Sequence, residues 1–343
     1  MIGGKLRQRV LDATEATSVG QAAARYAAYL ALRLWVVAIG CFPIETNLRT
    51  ARLMGSLWWH LADVPWPRWK ALRTLRRFRR RRAIALRHLR RSFGNQYNKR
   101  ALRRIARASY RHFAQLYLVE LVMTPRLITP WSWAQHVELG DLAPGLRLLI
   151  QSRGVIMLTG HFGNYELLGY TICRLGMPLT AVMRPVDNPL INNYLVASRQ
   201  AGGLLLLYKK GATTAAPEVI EGGGALCFIA DQDAGRKGMF VDFFGRPAST
   251  YKSIGLLAMQ KRVPIVVGYA VRTRRGFHYR LAVERIIQPE EWDAQGDPLR
   301  WITQTYTHAL EAAIRRWPEQ YLWAHRRWKH RPKEERAARR TTA

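Results

Sequence analysis

The 343-residue chain sets 55 Lys and Arg against 23 Asp and Glu, a formal net charge of +32, and is 48% apolar. That length and apolar share are enough for one large core or two small ones, and the charge asks for an anionic partner: nucleic acid, an anionic membrane surface or an acidic protein. Cys41, Cys173 and Cys227 stand far apart, which excludes a disulfide framework and a paired-cysteine metal site and fits a reducing compartment.

Residues 1–25 carry mixed charge and small side chains; a helix without visible chemistry is expected there. Tyr26–Ile44 is apolar apart from Arg33, close to the ~20 residues of a bilayer-spanning helix. Arg33 near its middle would cost about 2.5–3.5 kcal/mol on insertion scales. A helix lying in the membrane interface avoids that cost, and Tyr26, Tyr29 and Trp35 suit either geometry; a buried core helix is the other reading. Ala38-Ile39-Gly40-Cys41 has the outline of a lipoprotein cleavage box. It lacks the aliphatic residue three before the cysteine, and the segment ahead of it is long and contains acids. If the helix spans, the arginines that follow hold its carboxyl side in the cytoplasm.

From Val64 to Val119 there is no Asp or Glu, while Lys and Arg crowd the chain, including the run Arg79–Arg82. Leu72, Leu75, Phe78, Ile84, Leu86 and Leu89 recur at helical spacing, so one or two amphipathic helices with a cationic face are expected. Such a face can neutralise nucleic-acid phosphates or dock on anionic lipid. No nucleic-acid module signature accompanies it and an apolar helix precedes it, which favours lipid.

An α/β region begins near Leu142. Val155–Leu158, Leu179–Met183, Leu204–Leu207, Ala225–Ala230, Ile265–Val271 and Tyr279–Ile286 read as strands. Pro189–Gln200, a stretch around Glu218–Ile220, Ile254–Gln260 and Trp301–Arg316 read as helices, and Val241–Thr250 as a loop with exposed aromatics. The alternation predicts a mostly parallel or mixed sheet covered by helices on both faces. The expected division is 1–63 with the anchoring helix, 64–141 basic and helical, and 142–343 α/β, with 64–343 forming one compact unit.

At Gly154–Tyr170 a short apolar strand meets His161, passes Phe162 and Gly163, and restarts as a helix at Asn164, a good N-cap. Glu166 falls in the first helical turn, where the dipole favours a carboxylate. Ligands bind at such strand ends in open α/β sheets, so His161 reads as a base and Glu166 as the group that orients it. A structural histidine bonded to a helix N-terminus is the bland alternative. There is no G-x-S-x-G elbow, no Walker or G-x-G-x-x-G loop, and no metal-ligand spacing. What is left is a His/Glu pair able to deprotonate a substrate hydroxyl that itself attacks a reactive acyl donor.

Gly160-His161-Phe162-Gly163-Asn164-Tyr165-Glu166 resembles the signature of the lysophospholipid acyltransferase superfamily, in the branch of bacterial lipid A late (lauroyl/myristoyl) acyltransferases. Arg184-Pro185 with Asn188-Pro189, Arg199 and Gly202 is similar to a second block. Asp231-Gln232, Gly238, Phe243-Phe244-Gly245, Ala248 and Thr250 resemble a third, and Pro318–Trp323 with His325–Lys329, Arg331 and Pro332 a closing one. The resemblance implies an α/β acyltransferase at the cytoplasmic face of the inner membrane. It implies acyl carrier protein or acyl-CoA as thioester donor, an anionic lipid or glycolipid hydroxyl as acceptor, and neither metal nor further cofactor. By it, His161 and Glu166 are catalytic, and Gly163, Asn164, Arg184, Asp231, Gln232, Phe244 and Gly245 line the substrates, with Arg184 meeting an acceptor phosphate. Tyr165 and Tyr321 stand where the family often has Trp, and the basic span from Arg68 to Arg107 is extreme for it. The acceptor therefore stays open between a lipid A precursor, another glycolipid such as a phosphoinositol mannoside, and a lysophospholipid; a non-enzymatic basic membrane- or nucleic-acid-binding protein is the reading from another class.

Overall fold

A computed structural model describes residues 18–64, 73–94, 96–209, 211–332 and 335. The described residues open with helices α1 (Val19–Gly40), α2 (Ile44–Leu61), α3 (Arg73–Phe93) and α4 (Lys99–Gln115). A π-helical turn, Leu116–Glu120, carries α4 on into α5 (Leu121–Leu127), and α6 (Trp133–His136) follows. Strands and helices then alternate: β1 (Val137–Leu139), α7 (Ala143–Ile150), β2 (Val155–Thr159), α8 (Tyr165–Arg174), β3 (Leu179–Met183), α9 (Pro189–Ala201), β4 (Leu205–Tyr208), α10 (Ala212–Glu221) and β5 (Ala225–Ile229). The hairpin β6 (Met239–Asp242) and β7 (Pro247–Thr250) leads to α11 (Lys252–Lys261), β8 (Ile265–Arg272), β9 (Tyr279–Ile287), α12 (Pro289–Asp293) and α13 (Pro298–Arg316).

Among the described residues seven strands form one sheet in the order β1-β9-β8-β2-β5-β3-β4. Its pairs are parallel except β8 with β9, which is the mixed α/β sheet expected from the alternation. All five residues of β2 are buried because the sheet is covered twice, so the strand shows no polar alternation. Val155 and Met157 pack with Leu167, Leu168 and Ile172 of α8 on one face. Ile156 and Leu158 pack with Ile220, Ile254, Ala258 and Ile302 on the other.

A third apolar cluster caps the carboxyl ends of the strands. Trp59 of α2, Ala85, Leu89 and Phe93 of α3 and Leu102 and Ala106 of α4 meet Phe162, Phe243, Phe244, Tyr321, Trp323 and Trp328. The basic segment is thus two helices, and Leu89 at 0% exposure shows which stripe turns inward. Leu72 lies outside the described residues. Several basic side chains are also turned inward: Arg81 donates to the Ala324 carbonyl at 2.9 Å, and Arg82 pairs with Asp63 and stacks over Trp59.

Three expectations are corrected. The apolar helix is displaced from Tyr26–Ile44: it starts at Val19, capped by Ser18, and stops at Gly40, because Pro43 has no N–H to continue it and instead stands ahead of α2. The α/β region begins one strand earlier, with the three-residue β1, too short to show a period. Val241–Thr250 is largely the β6–β7 hairpin, and its aromatics are buried, Phe243 at 1% and Phe244 at 4%. Phe244 sits at φ +56°, the left-handed conformation that a tight turn imposes.

The turn after β2 demands glycine at 163. Gly163 has φ +58°, and a β-carbon there would lie 1.9 Å from the Ala270 carbonyl oxygen. Gly163→Ala is therefore expected to cost about 2 kcal/mol or more from the backbone conformation and the clash together. A fall in the thermal midpoint by several degrees checks this; an unchanged midpoint contradicts it.

Candidate active site

His161 and Asp231 each stand two residues beyond a register pair. β2 and β5 are parallel neighbours with Thr159 opposite Ile229, so both chains emerge at one level and the two side chains fall beside each other, adjacent strands being about 4.8 Å apart. The His161 ring nitrogen Nδ1 meets Asp231 Oδ1 at 2.8 Å. Gly160 leaves the room: a β-carbon on it would sit 3.3 Å from the Asp231 side chain. Asp231 is 3% exposed. Burial alone would raise its carboxyl, but the charge and hydrogen bonds of His161 outweigh that and hold it below the usual carboxylate range. It is an anion fixed against the imidazole.

The ring is boxed in on other sides. The Gln232 side-chain amide nitrogen lies 3.1 Å from Nε2, and Tyr165 packs edge-on at 5.3 Å between centroids. The Tyr165 hydroxyl donates to Tyr117 at 3.4 Å, a residue presented by the π turn, where Leu121 N–H reaches back five residues to Leu116. Such turns recur at functional sites. Burial raises the Tyr117 hydroxyl, its bond from Tyr165 opposes the rise, and the charges of Asp231 and Glu166 add to it, which puts both carboxylates in the surroundings of this tyrosine.

Glu166 does not carry the hydrogen bond expected of it. Its carboxylate is gripped by both ends of the Arg199 guanidinium, Oε2 by Nε at 3.0 Å and Oε1 by Nη2 at 2.5 Å. Burial pulls the Arg199 pKa down, yet Glu166 more than compensates and the net shift is upward. The orienting bond to His161 comes from Asp231, because β5 delivers Asp231 at the level of the ring while the first turn of α8 faces α9. A second correction concerns Gly163 and Asn164, expected to line substrate. Asn164 is 0% exposed; its oxygen caps α8 by accepting from Leu167 N–H, and its amide donates to Glu120 at 2.9 Å. Gly163 donates to the Gln320 carbonyl and accepts from His112, both at 3.0 Å. They hold the turn.

Phe244 and Gly245, also expected at the substrate, form the tip of the hairpin. Phe244 packs on Phe93 and Trp323 under the Arg315 guanidinium, and Gly245 N–H donates to Asp242 at 2.9 Å across the hairpin tip. Arg184 is exposed at the end of β3, and no carboxylate pairs with it among the described residues. What sequence reasoning missed is the support. Glu120, fully buried, takes Arg272, the Tyr279 hydroxyl and Asn164 together. Arg327, 2% exposed, ties the Gln232 carbonyl to Thr250 in the hairpin, and Asp233 pairs with His330 at 2.6 Å. An isolated Glu in an acid-free stretch, Glu120 being the first after Asp63, was the one available signal.

Residues 56–330 match the model of the bacterial lipid A biosynthesis acyltransferase family. The chain belongs to that family. It is 30% identical over 201 residues to the lipid A biosynthesis palmitoleoyltransferase of Escherichia coli (strain K12), covering 54% of this chain and 59% of that protein. It is 29% identical over 184 residues to the lauroyltransferase of the same organism, covering 53% and 58%. A lipid A biosynthesis acyltransferase of Haemophilus influenzae matches at 26% over 210 residues, 60% and 66% of the two chains. The matched stretch is thus under two thirds of each relative. Within the matched family region lie β2, β5, His161 and Asp231.

The surroundings of the His161 turn contain neutral imidazoles. Burial pushes His88, His112 and His325 down to about 4. Unfolded, each takes a proton near 6.5, so between about pH 6.5 and 4 the unfolded state binds more protons and folding stability falls as pH falls. Asp231, with its depressed carboxyl, adds a loss of the same sign only at lower pH, below the ordinary carboxylate value of 3.8. Thermal midpoints measured across this window should drop steadily toward pH 4; a flat profile contradicts the burial of these rings.

Proposed function

We propose that the protein is an O-acyltransferase that moves a fatty acyl group from a thioester, on acyl carrier protein or coenzyme A, to a hydroxyl of a lipid A precursor or related glycolipid. The observation that carries the reading is the contact of His161 with a buried aspartate at the carboxyl ends of two parallel strands, in a member of this family. With Nδ1 held by Asp231, Nε2 carries the lone pair that faces a substrate. It takes the proton of the acceptor hydroxyl as the oxygen attacks the thioester carbonyl. The carbon–sulfur bond then breaks, and the imidazolium returns its proton to the departing thiolate. Proton transfer of this kind contributes about 10²–10⁴-fold. Gln232, already at the ring edge, gives way to the hydroxyl and donates to the developing oxyanion.

In this mechanism Asp231 is the direct partner of the base. Glu166 acts through Arg199: the ion pair locks the first turn of α8 and so the turn that bears His161. Arg184, exposed and without a carboxylate, grips an acceptor phosphate, a role suited to a guanidinium. The reaction needs neither metal nor cofactor beyond the acyl donor. We place it at the cytoplasmic face of the inner membrane. Val19–Gly40 is long and apolar enough to cross a bilayer, and 11% of its apolar window is buried. The helix lies along the body, with Asn188 donating to the Arg25 carbonyl and Trp35 to that of Leu118. That supports a helix resting in the interface with Arg33, bonded to the Tyr29 hydroxyl at 2.8 Å, toward the headgroups.

Purified His161→Ala is expected to lose transfer from labelled acyl carrier protein to the lipid acceptor while its circular dichroism stays unchanged. Asp231→Asn should lower kcat about 100-fold or more, and Glu166→Gln should lower it less while reducing the thermal midpoint. If Glu166→Gln falls as far as His161→Ala and Asp231→Asn is spared, the orienting role belongs to Glu166. Arg184→Ala should raise the acceptor KM about tenfold with the donor KM unchanged; equal shifts in both would remove the phosphate contact.

A further inference from the structure

The turn that carries His161 has a second neighbour. A cavity of ≈260 Å³ opens between α2, α4, the turn joining β8 to β9 and the segment after α13, and none of His161, Asp231, Gln232 or Arg184 lines it. Arginines at 52, 111, 272, 274 and 275 converge on it, opposed by Glu319. Arg272 is satisfied by Glu120, and among the described residues Arg111 bonds a hydroxyl and no carboxylate, donating to Ser56 at 2.7 Å. Arg52 and Arg275 pair with no carboxylate among the described residues. Crowding leaves a mark: burial, then the charges of Arg107 and Arg52, lower the Arg111 pKa, and burial raises that of Glu319, weakening the lone acid. Like charges gathered in a concave, partly dehydrated site focus a positive potential that an anion relieves.

The surroundings indicate where the anion comes from. Arg52 lies on α2, the helix that follows the apolar α1, and beside it Leu53 and Leu57 are 71% and 56% exposed. The cavity thus sits next to an outward apolar face on the helix that follows the membrane-suited one. We propose that this cavity binds the phosphate of an anionic lipid headgroup, at a site separate from the reacting centre. The proposal rests on the lipid-acyltransferase reading only for the source of that phosphate. The site is connected to the centre: His112 and Gln320, which line it, hold the carbonyl and N–H of Gly163, so the occupant lies one side chain from the turn that aims the imidazole.

The test is calorimetric titration of the full-length protein with dihexanoyl phosphatidic acid, a soluble lipid with a phosphate monoester, alongside inorganic phosphate. Saturable binding of the lipid is expected, weakened about tenfold or more in the double variant Arg52→Ala/Arg275→Ala. The control Arg103→Ala/Arg104→Ala removes the same charge from exposed positions of α4 and should change binding by about twofold at most. Equal weakening in both double variants would show diffuse charge attraction and overturn the site. Absence of saturable binding overturns it too, and inorganic phosphate binding as tightly as the lipid overturns the lipid source. His161→Ala should bind like the unaltered protein. Unaltered protein that binds the lipid but transfers no acyl group from a labelled thioester would sink the catalytic reading and leave the cavity standing.

Discussion

The site depends on the register between β2 and β5. Parallel strands paired Thr159 to Ile229 emerge in step, so residues at equal distance past the pair become neighbours however far apart they stand in sequence. That arrangement turns His161 from a lone imidazole into one with a buried carboxylate at 2.8 Å. A slip of a single residue would turn the aspartate to the other face of the sheet. Gly160 belongs to the same constraint, since a β-carbon there would press on the Asp231 side chain at 3.3 Å.

The turn beyond the strand is held from several sides, which fixes the orientation of the imidazole it carries. Gly163 and Asn164 are tied by backbone bonds to Gln320 and Ala270, and Leu322 N–H donates to the His161 carbonyl at 3.1 Å. Beneath them the buried Glu120 carboxylate meets Arg272, Tyr279 and Asn164. Such a group is stable in the interior only while all its partners stay; removing one partner of a buried pair costs about 3–5 kcal/mol. The C-terminal segment supplies the remaining ties, Trp323 packing fully buried and Arg327 crossing to the hairpin.

The large positive charge is spread over three structural uses. Some guanidiniums are internal fasteners, as at Arg81, Arg272 and Arg327. Others, such as Arg103 and Arg104, stand on the outer face of α4, where they suit an anionic surface. A third group crowds the cavity under the His161 turn. Net charge alone describes only their sum.

The sequence by itself determined the local elements and the chemistry-bearing positions. The apolar runs of β2, β5 and β8, the N-cap at Asn164 and the helical stripes of the basic segment follow from side-chain period and capping, which act over a few residues. His161, Asp231 and Gln232 were legible as polar residues at strand ends for the same reason. Which carboxylate meets the imidazole was not legible, because Glu166 is close in sequence and Asp231 is close only across paired strands. The burial of Phe244 and Asn164, the Glu120 network and the arginine-lined cavity likewise arise where distant segments pack, and it is the strand order and register of the sheet, set by the tertiary fold, that brought them together.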